Sequence, residues 1–530
     1  MALSIEDGTP AVMAKIHCRE CHVHSKGSSQ QTDAFRENPE TNHMKIMIAY
    51  PALEGKGSPM LTQNRQFQWY HVGSYIYPVV SATAATLLKE DGFEPVWYDG
   101  IARRHTPEQF WRMLTAERPH LIVMESKTPV IRQHWKMIRK IKSQYPEIIT
   151  VLTGDHVTAL PVETMEHCPV DIILAGGDYD LLLLEVCRAY SDNRSPSKLP
   201  PGVWYREGAS VRTTGPFQLN HDLNALPFID RTLTQAYRYG EKWKRKTPFY
   251  YTMAGRDCSW GKCTFCAWTT LYPTFRAKTV SRFMEEIGHL IEADKAREIF
   301  DDTGTFPGGN WLRQFCENMI DRGYNRRVLF SCNFRFDLLR DEDVPRLMKK
   351  AGFRKIKVGL ESANQATLDR LKKGIRVSDI VKGCKNAAKA GLDVHLTVMV
   401  GFPWETRRNA ENTLNLARYL MDRGYAEMLQ ATVTVPYPGT PLYQEAMDKG
   451  WFACDPLDYD RFDMDEAVLK MPDMTGQEVS DYAQKLYRSF LSPRFILMRL
   501  LKTRNLADMD YLIRGARAVI GHLLDFGRNR

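Results

Sequence analysis

The sequence predicts an α/β protein with a Rossmann-like, doubly wound parallel sheet, a partial barrel of six βα units and a helical C-terminal region. Three observations predict this arrangement. Short apolar segments alternate with helical apolar spacing over residues 44–190. The same alternation occurs six times over residues 247–440, two units short of a complete eight-stranded barrel. Residues 441–530 carry helical patterns.

The N-terminal sheet is predicted from five short apolar segments. These are Lys45–Tyr50, Pro95–Tyr98, His120–Met124, Ile148–Leu152 and Val170–Leu174. Ligands of doubly wound sheets bind beyond the carboxyl ends of the strands. Because no Gly-x-Gly-x-x-Gly follows the first strand, a dinucleotide ligand is disfavoured.

Residues 191–246 are predicted to link the two domains. They begin with the Pro-rich loop 195–201 and continue with a β-hairpin that turns at Gly208. The barrel strands are then predicted at Phe249–Met253, Glu298–Phe300, Val328–Cys332, Ile356–Leu360, Val394–Val400 and Leu429–Val435.

Three cysteines, Cys258, Cys263 and Cys266, follow the first barrel strand. A structural zinc site normally has four ligands, and a disulfide framework needs an even number of cysteines and an oxidising compartment. Three thiolates on one loop suit a [4Fe–4S] cluster with one iron left free. A zinc knuckle and three ordinary cysteines are the alternatives.

The cysteine loop resembles that of the radical S-adenosylmethionine (radical SAM) enzymes, whose pattern is Cys-x3-Cys-x2-Cys. Phe265 matches the aromatic residue that often precedes the last cysteine, whereas the first interval here is one residue longer. Gly261 is expected to absorb that extra residue. Stretches resembling the family's later motifs follow the next five strands in order: Asp301–Thr303, Asn333–Asp337, Gly359–Ser362, Gly401–Pro403 and Pro436–Pro441.

The resemblance implies that S-adenosylmethionine (SAM) chelates the free iron at the barrel mouth. Asp302 and Glu361 can accept hydrogen bonds from SAM, and Arg335 can pair with its carboxylate. Met399 and Gly401 would let the adenine lie against the backbone. Solvated turn residues, and for Arg335 a surface ion pair, are the structural alternatives.

A Rossmann-like domain before such a barrel resembles the cobalamin-binding domain of the B12-dependent radical SAM proteins. That group includes the anaerobic magnesium-protoporphyrin ester cyclase and several methyltransferases. The resemblance implies cobalamin contacts at the carboxyl ends of the third, fourth and fifth strands, namely Ser126, Thr128, Gly154, His156, Gly176 and Gly177. Since Asp-x-His-x-x-Gly is absent, His156 is expected beside the cofactor and not as a cobalt ligand. A sheet that has lost its ligand is the alternative.

The resemblance therefore implies an enzyme that cleaves SAM to a 5′-deoxyadenosyl radical and, with cobalamin, methylates an unactivated carbon of a small molecule or lipid. A flavodoxin or ferredoxin would supply the electron. A cyclase or oxidoreductase without methyl transfer, and a non-catalytic metal-binding protein, remain alternatives. No catalytic residue is assigned from the sequence.

Composition predicts a cytoplasmic protein. Eleven cysteines without an export signal favour a reducing compartment, and no apolar run reaches the ~20 residues that span a bilayer. The net charge of +9 is mild and partly C-terminal, so no nucleic-acid partner is predicted. The basic amphipathic segment Tyr487–Leu501 is expected to pack on the core or to contact a membrane surface. Residues 1–43 are predicted to be a disordered polar tail, in which Cys18 and Cys21 resemble a haem-attachment or metal-knuckle pattern.

Overall fold

The computed structural model describes residues 44–61, 67–71, 73–503 and 505–525. The prediction for residues 1–43, including Cys18 and Cys21, lies outside these residues. No helix among the described residues is both long and apolar enough to cross a bilayer.

The first sheet forms from buried, mostly β-branched and aromatic strands with helices between them. Its strands and the short hairpin beside it are β1 Lys45–Tyr50, β2 Ser58–Pro59, β3 Trp69–Tyr70, β4 Glu94–Asp99, β5 Leu121–Glu125, β6 Ile149–Thr153, β7 Ile172–Leu174, β8 Val203–Glu207 and β9 Ser210–Thr213. Its helices are α1 Val79–Glu90, α2 Pro107–Glu117, α3 Ile131–Gln144, α4 Asp155–Ala159, α5 Pro161–His167 and α6 Tyr179–Ser191.

The strand order in this sheet is β4-β1-β5-β6-β7-β8-β9. The first five strands in that order are parallel, as predicted. The hairpin β8–β9 extends the sheet, because β8 pairs antiparallel with β7. Residues 203–213 therefore belong to the N-terminal sheet, whereas the sequence analysis had placed this hairpin in the linker.

The second sheet is the predicted partial barrel. Its strands pair in parallel in the order β10-β13-β14-β15-β16-β17. The strands, with the small ladder β11–β12, are β10 Phe249–Thr252, β11 Gly255–Arg256, β12 Arg276–Ala277, β13 Glu298–Asp301, β14 Leu329–Phe334, β15 Phe353–Glu361, β16 Asp393–Val400 and β17 Met428–Val433. The helices are α7 Trp268–Leu271, α8 Val280–Glu292, α9 Gly309–Asp321, α10 Asp343–Lys350, α11 Gln365–Arg370, α12 Val377–Ala390 and α13 Arg407–Asp422.

The C-terminal region is helical in its second half. Its helices are α14 Pro441–Asp448, α15 Gly476–Tyr487, α16 Pro493–Lys502 and α17 Leu506–Asp525. Residues 449–475, all of which the structure describes, contain no α-helix. Part of this segment packs with the N-terminal sheet, since Tyr459, Phe462 and Met464 share a buried apolar cluster with Leu152 and Val157.

The open side of the barrel, between the edge strands β10 and β17, is covered by polar contacts from outside the barrel. Tyr70 of β3 accepts a hydrogen bond from the Gln430 amide on β17 at 3.0 Å. The linker residue Glu241 pairs with Lys355, a fully buried lysine on β15. The buried interior of the barrel thus closes against the N-terminal domain and linker, and its mouth lies at the carboxyl ends of the strands.

Candidate metal centre and cofactor cavity

The cysteine loop connects β11 to β12, directly after the first barrel strand. Cys258 and Cys266 are partly buried, Cys263 is buried, and none of the three forms a disulfide. Gly261, within the longer first interval, has φ of 58°, a left-handed conformation that favours glycine. The expectation that Gly261 absorbs the extra residue agrees with this backbone.

All three cysteines line one cavity at the carboxyl ends of the barrel strands. Four residues predicted to contact SAM line the same cavity: Asp302, Arg335, Glu361 and Met399. They come from the ends of β13, β14, β15 and β16, which parallel strand order brings to one rim. Residues that are far apart in the sequence therefore surround one space.

The thiols have polar neighbours in this cavity. The Cys258 sulfur lies 3.0 Å from the Thr305 hydroxyl. Burial raises the pKa of the Cys263 thiol, and the nearby Lys373 and Arg335 charges oppose that rise. No three Cys, His, Asp or Glu side chains of the described residues are grouped closely enough to hold a single metal ion.

Glu361 ends β15 in a strained conformation. Its φ is 54°, and the register with β16 shifts between Gly359 and Glu361. Its carboxylate accepts a hydrogen bond from the Lys373 ammonium at 2.8 Å, and both side chains are mostly buried. Burial alone would lower the pKa of Lys373, but the Glu361 charge, the Cys263 charge and the hydrogen bond to Glu361 together raise that pKa. Backbone strain of this kind concentrates at functional sites.

Arg335 is held by three different contacts. Its guanidinium lies 4.6 Å from the centre of the Trp260 ring, donates to the Asp337 carboxylate at 2.9 Å and donates to the Lys373 carbonyl at 2.9 Å. The side chain is 6% exposed. These contacts fix the guanidinium plane at the cavity wall, where it can meet a carboxylate.

Two further predicted residues, Asp302 and Met399, form a polar and an apolar part of the cavity wall. The Asn333 amide donates to Asp302 at 3.2 Å, which orients one carboxylate oxygen. Met399 packs with Leu371 and Phe402 in a small apolar cluster against which Phe265 also packs. The cavity thus combines a charged wall with an apolar ledge.

Gly401 does not line the cavity. Its N–H donates to the Glu405 carboxylate at 2.7 Å, and a Cβ at this position would approach Val479 of α15 to 2.7 Å. Burial raises the pKa of Glu405 to about 7. The glycine is explained by packing, and its contact with adenine stays a prediction.

The six residues predicted to contact cobalamin lie at the carboxyl edge of the N-terminal sheet, where they contact protein. Ser126 is hydrogen-bonded to His134 at 2.6 Å, and Thr128 to His156 at 3.2 Å. The His156 ring is fully buried and packs edge-on against Tyr459 at 4.8 Å.

The three glycines of this edge are equally enclosed. A Cβ on Gly154 would lie 2.1 Å from the Ser126 carbonyl oxygen. On Gly176 it would lie 2.4 Å from the Phe217 ring, and on Gly177 2.0 Å from the Tyr272 ring. The predicted loops are therefore assembled beside the barrel but are filled by protein side chains.

Residues 254–417 match the radical SAM superfamily. This segment contains the three cysteines and all four predicted SAM residues that line the cavity. Residues 254–417 therefore carry a radical SAM domain.

The chain is also similar to curated proteins over most of its length. It is 26% identical to an uncharacterized methyltransferase of Pyrococcus horikoshii, covering 86% of this chain and 94% of the relative. It is 23% identical to the anaerobic magnesium-protoporphyrin IX monomethyl ester cyclase of Cereibacter sphaeroides, covering 84% of this chain and 70% of the relative.

Two solved structures share the fold over most of this chain. One is the cobalamin-dependent SAM radical enzyme OxsB with aqua-cobalamin and SAM bound, with a TM-score of 0.66, 14% identity and coverage of 91% of this chain and 72% of OxsB. The other is the radical SAM methyltransferase TsrM of Kitasatospora setae with cobalamin and a [4Fe–4S] cluster bound, with a TM-score of 0.64, 14% identity and coverage of 90% and 99%. These likenesses confirm the predicted fold class.

Sequence reasoning missed several residues of this cavity. Lys373, Thr305 and Asn333 line it, and Asn333 lies in a stretch that resembles a family motif but was given no role. Met464, which has φ of 61°, enters from residues 449–475. No sequence pattern singles out Met464, because its place depends on how the C-terminal region folds back over the barrel.

Proposed function

We propose that this chain is a cobalamin-dependent radical SAM enzyme that methylates an unactivated carbon of a small molecule or lipid. The observation that supports the proposal most is the single cavity that joins three cysteine thiols to Asp302, Arg335, Glu361 and Met399. Its residue types suit the groups of SAM: thiolates for a cluster, a guanidinium for a carboxylate and an apolar ledge for adenine.

Each side chain then has a defined task. Cys258, Cys263 and Cys266 would hold a [4Fe–4S] cluster that, when bound, supplies the electron for reductive cleavage of SAM. Arg335 binds and orients the carboxylate of SAM, since its plane is fixed by Trp260. Glu361, held by Lys373, accepts hydrogen bonds from SAM. The apolar ledge excludes water from the reacting end.

Cobalamin is proposed from the architecture shared with OxsB and TsrM and from the methyltransferase relatives. The sheet edge faces the barrel, as a cofactor shared by both domains requires. Tyr272, Phe217 and Tyr459 pack against residues of the predicted loops. We therefore assign no residue of this edge a chemical step.

Iron content tests the cluster. Anaerobically reconstituted wild type should hold about four irons per chain. Replacing the three loop cysteines together with alanine should abolish the bound iron and the formation of 5′-deoxyadenosine from SAM. Cys454→Ala is the matched control, because Cys454 is a partly buried free thiol outside the cavity. Full iron content in the triple variant would overturn the ligand assignment.

Cobalamin uptake and labelled SAM test the reaction. The full chain should take up hydroxocobalamin, and His156→Ala should leave its visible spectrum unchanged, because His156 is not expected to ligate cobalt. SAM with a deuterated methyl group should then yield a product that carries the label. A product formed without the label would favour the cyclase alternative, and a chain that cleaves no SAM would favour the binding protein.

We also propose that the C-terminal helices contact a membrane surface that carries anionic lipids. Among the described residues, nine of the fourteen exposed large apolar side chains lie in α16, α17 and the residues next to them. They are Leu491, Ile496, Leu497, Leu500, Leu501, Leu506, Met509, Ile513 and Ile520. Residues 488–530 hold nine Lys and Arg against three Asp, so the same region is strongly basic. Apolar exposure combined with positive charge is typical of interfacial helices.

A further inference from the structure

The cysteine loop is tied at both ends to the last parallel strand loop of the N-terminal sheet. Its flanking residues, Arg256 and Arg276, pair with each other across the β11–β12 ladder. Both guanidinium groups reach Asp178, at 3.0 Å from Arg256 and 2.7 Å from Arg276. The His221 ring lies 3.0 Å from the same carboxylate.

Asp180 completes this arrangement. It accepts two hydrogen bonds from the Arg256 guanidinium, at 2.9 and 2.5 Å. Asp178, Asp180 and Arg256 are each at most 3% exposed. Although burial opposes it, the His221, Arg276 and Arg256 contacts hold the pKa of Asp178 well below its ordinary value. Such a desolvated, bidentate set has one geometry, because breaking any pair would leave a buried charge without its partner.

The part of the loop that follows the third cysteine also contacts the N-terminal sheet. The Gly177 N–H donates to the Leu271 carbonyl at 3.0 Å, and the Tyr272 hydroxyl donates to the Gly177 carbonyl at 2.8 Å. The Tyr272 ring lies so close to Gly177 that no side chain fits there. Residues 177–180 of the N-terminal sheet thus hold the cysteine loop at both flanking arginines and at Leu271 and Tyr272.

We propose that Asp178 and Asp180 are positioning residues for the cysteine loop, so that the N-terminal sheet sets the orientation of the cluster. This inference rests on the proposed cluster, because the loop needs a fixed orientation only if its thiols hold one. The carboxylates do not touch the cavity; they act through Arg256 and Arg276. A change at the sheet edge, such as ligand binding beside Gly177, would therefore be transmitted to the cysteines.

Asp180→Asn in the full, reconstituted chain tests this role. The variant keeps the shape of the carboxylate and removes its charge. We expect amide hydrogen exchange of residues 257–275 to rise at least roughly tenfold, because local opening of the loop no longer breaks a full ion pair. The electron paramagnetic resonance signal of the reduced cluster should broaden, because the loop then samples several orientations.

Glu298→Gln is the matched control. Glu298 is a fully buried carboxylate paired with Arg354 at 2.8 Å at the opposite end of the barrel. Removing the Glu298 charge should lower the melting temperature. Amide hydrogen exchange in the cysteine loop and the signal of the reduced cluster should stay as in wild type. If Asp180→Asn does not fold, Arg276→Lys perturbs the neighbouring ion pair with Asp178 at a side chain that is 17% exposed.

Two outcomes separate the inference from the function on which it rests. Wild-type exchange and an unchanged signal in both Asp180→Asn and Arg276→Lys would overturn the positioning role while the cluster stands. Iron bound equally by wild type and by the triple cysteine variant would overturn the cluster, and the exchange measurement would still report whether the loop is anchored.

Discussion

Replacing Glu361 with glutamine should weaken SAM binding and lower stability together. The variant keeps the shape of the side chain and removes its charge at the mouth of the barrel. Glu361 lines the cavity with the three cysteines and pairs with Lys373 at 2.8 Å. Glu361 does not cap helix α11, because its carboxylate faces Lys373 and the helix begins after Asn364.

The magnitudes follow from these two contacts. A charge-assisted hydrogen bond to SAM is worth ~1.5–3 kcal/mol, so its loss should raise the Kd by roughly tenfold to a hundredfold. Lys373 would then be a buried ammonium facing a neutral amide, and breaking a buried pair costs up to about 3–5 kcal/mol. Glutamine still accepts a hydrogen bond from Lys373, so the stability loss should fall below that range.

Calorimetry of SAM binding beside a melting curve separates the two effects. Glu286→Gln is the control, because Glu286 forms a mostly buried pair with Lys278 on the outside of the barrel and does not line the cavity. It should lower the melting temperature with unchanged SAM affinity. An unchanged Kd for Glu361→Gln would refute the carboxylate's contact with SAM and leave Glu361 a purely structural residue.

Three further results are expected. Arg335→Lys keeps the charge but loses the planar fork and the stacking on Trp260, so SAM affinity should fall about tenfold by calorimetry; affinity equal to wild type would remove Arg335 from the site. Burial lowers the pKa of His134 from 6.5 to about 4. The unfolded chain therefore binds a proton that the buried ring does not, so the stability present above pH 6.5 is lost as the pH falls towards 4. When the pH falls from about 7.5 to 5.5, the free energy of unfolding measured in urea should decrease by about 1.4 kcal/mol less for His134→Gln than for wild type. Equal decreases in the two proteins would contradict this assignment. Leu501→Glu should reduce flotation with phosphatidylglycerol vesicles while Leu457→Glu, at an exposed apolar residue elsewhere, does not; dimerisation in place of flotation would contradict the membrane contact.

The strands could be predicted from the sequence because each is a short apolar segment between turn residues. The predicted and observed positions of the six strands of the barrel sheet differ by a few residues at their ends, and the short ladder β11–β12 was not predicted. The sequence pattern predicts the hairpin β8–β9 but assigns it to the linker. Local patterns identify a hairpin and do not determine which sheet edge it joins. The antiparallel pairing of Tyr205 with Ile172 depends on tertiary packing.

The candidate site could be predicted where residues directly follow strands. Asp302, Arg335 and Glu361 are of this kind, because parallel strands deliver their carboxyl ends to one rim. Lys373 comes from the loop after α11 and Met464 from the C-terminal region. Their places depend on long-range packing, so neither periodicity nor motif spacing reports them.

The glycines at the sheet edge show how one sequence feature can have two physical causes. Gly176 and Gly177 resemble a cobalamin loop, yet a Cβ on Gly177 would lie 2.0 Å from the Tyr272 ring, which belongs to the cysteine loop. The requirement for glycine at this position is therefore met by the packing of the cysteine loop alone. It follows that this pair cannot by itself argue for cobalamin, and that the argument depends on the shared architecture of the two domains. The same contact makes Gly177 the point at which events at the sheet edge would reach the cysteines, since its N–H and its carbonyl both bond the loop that carries them.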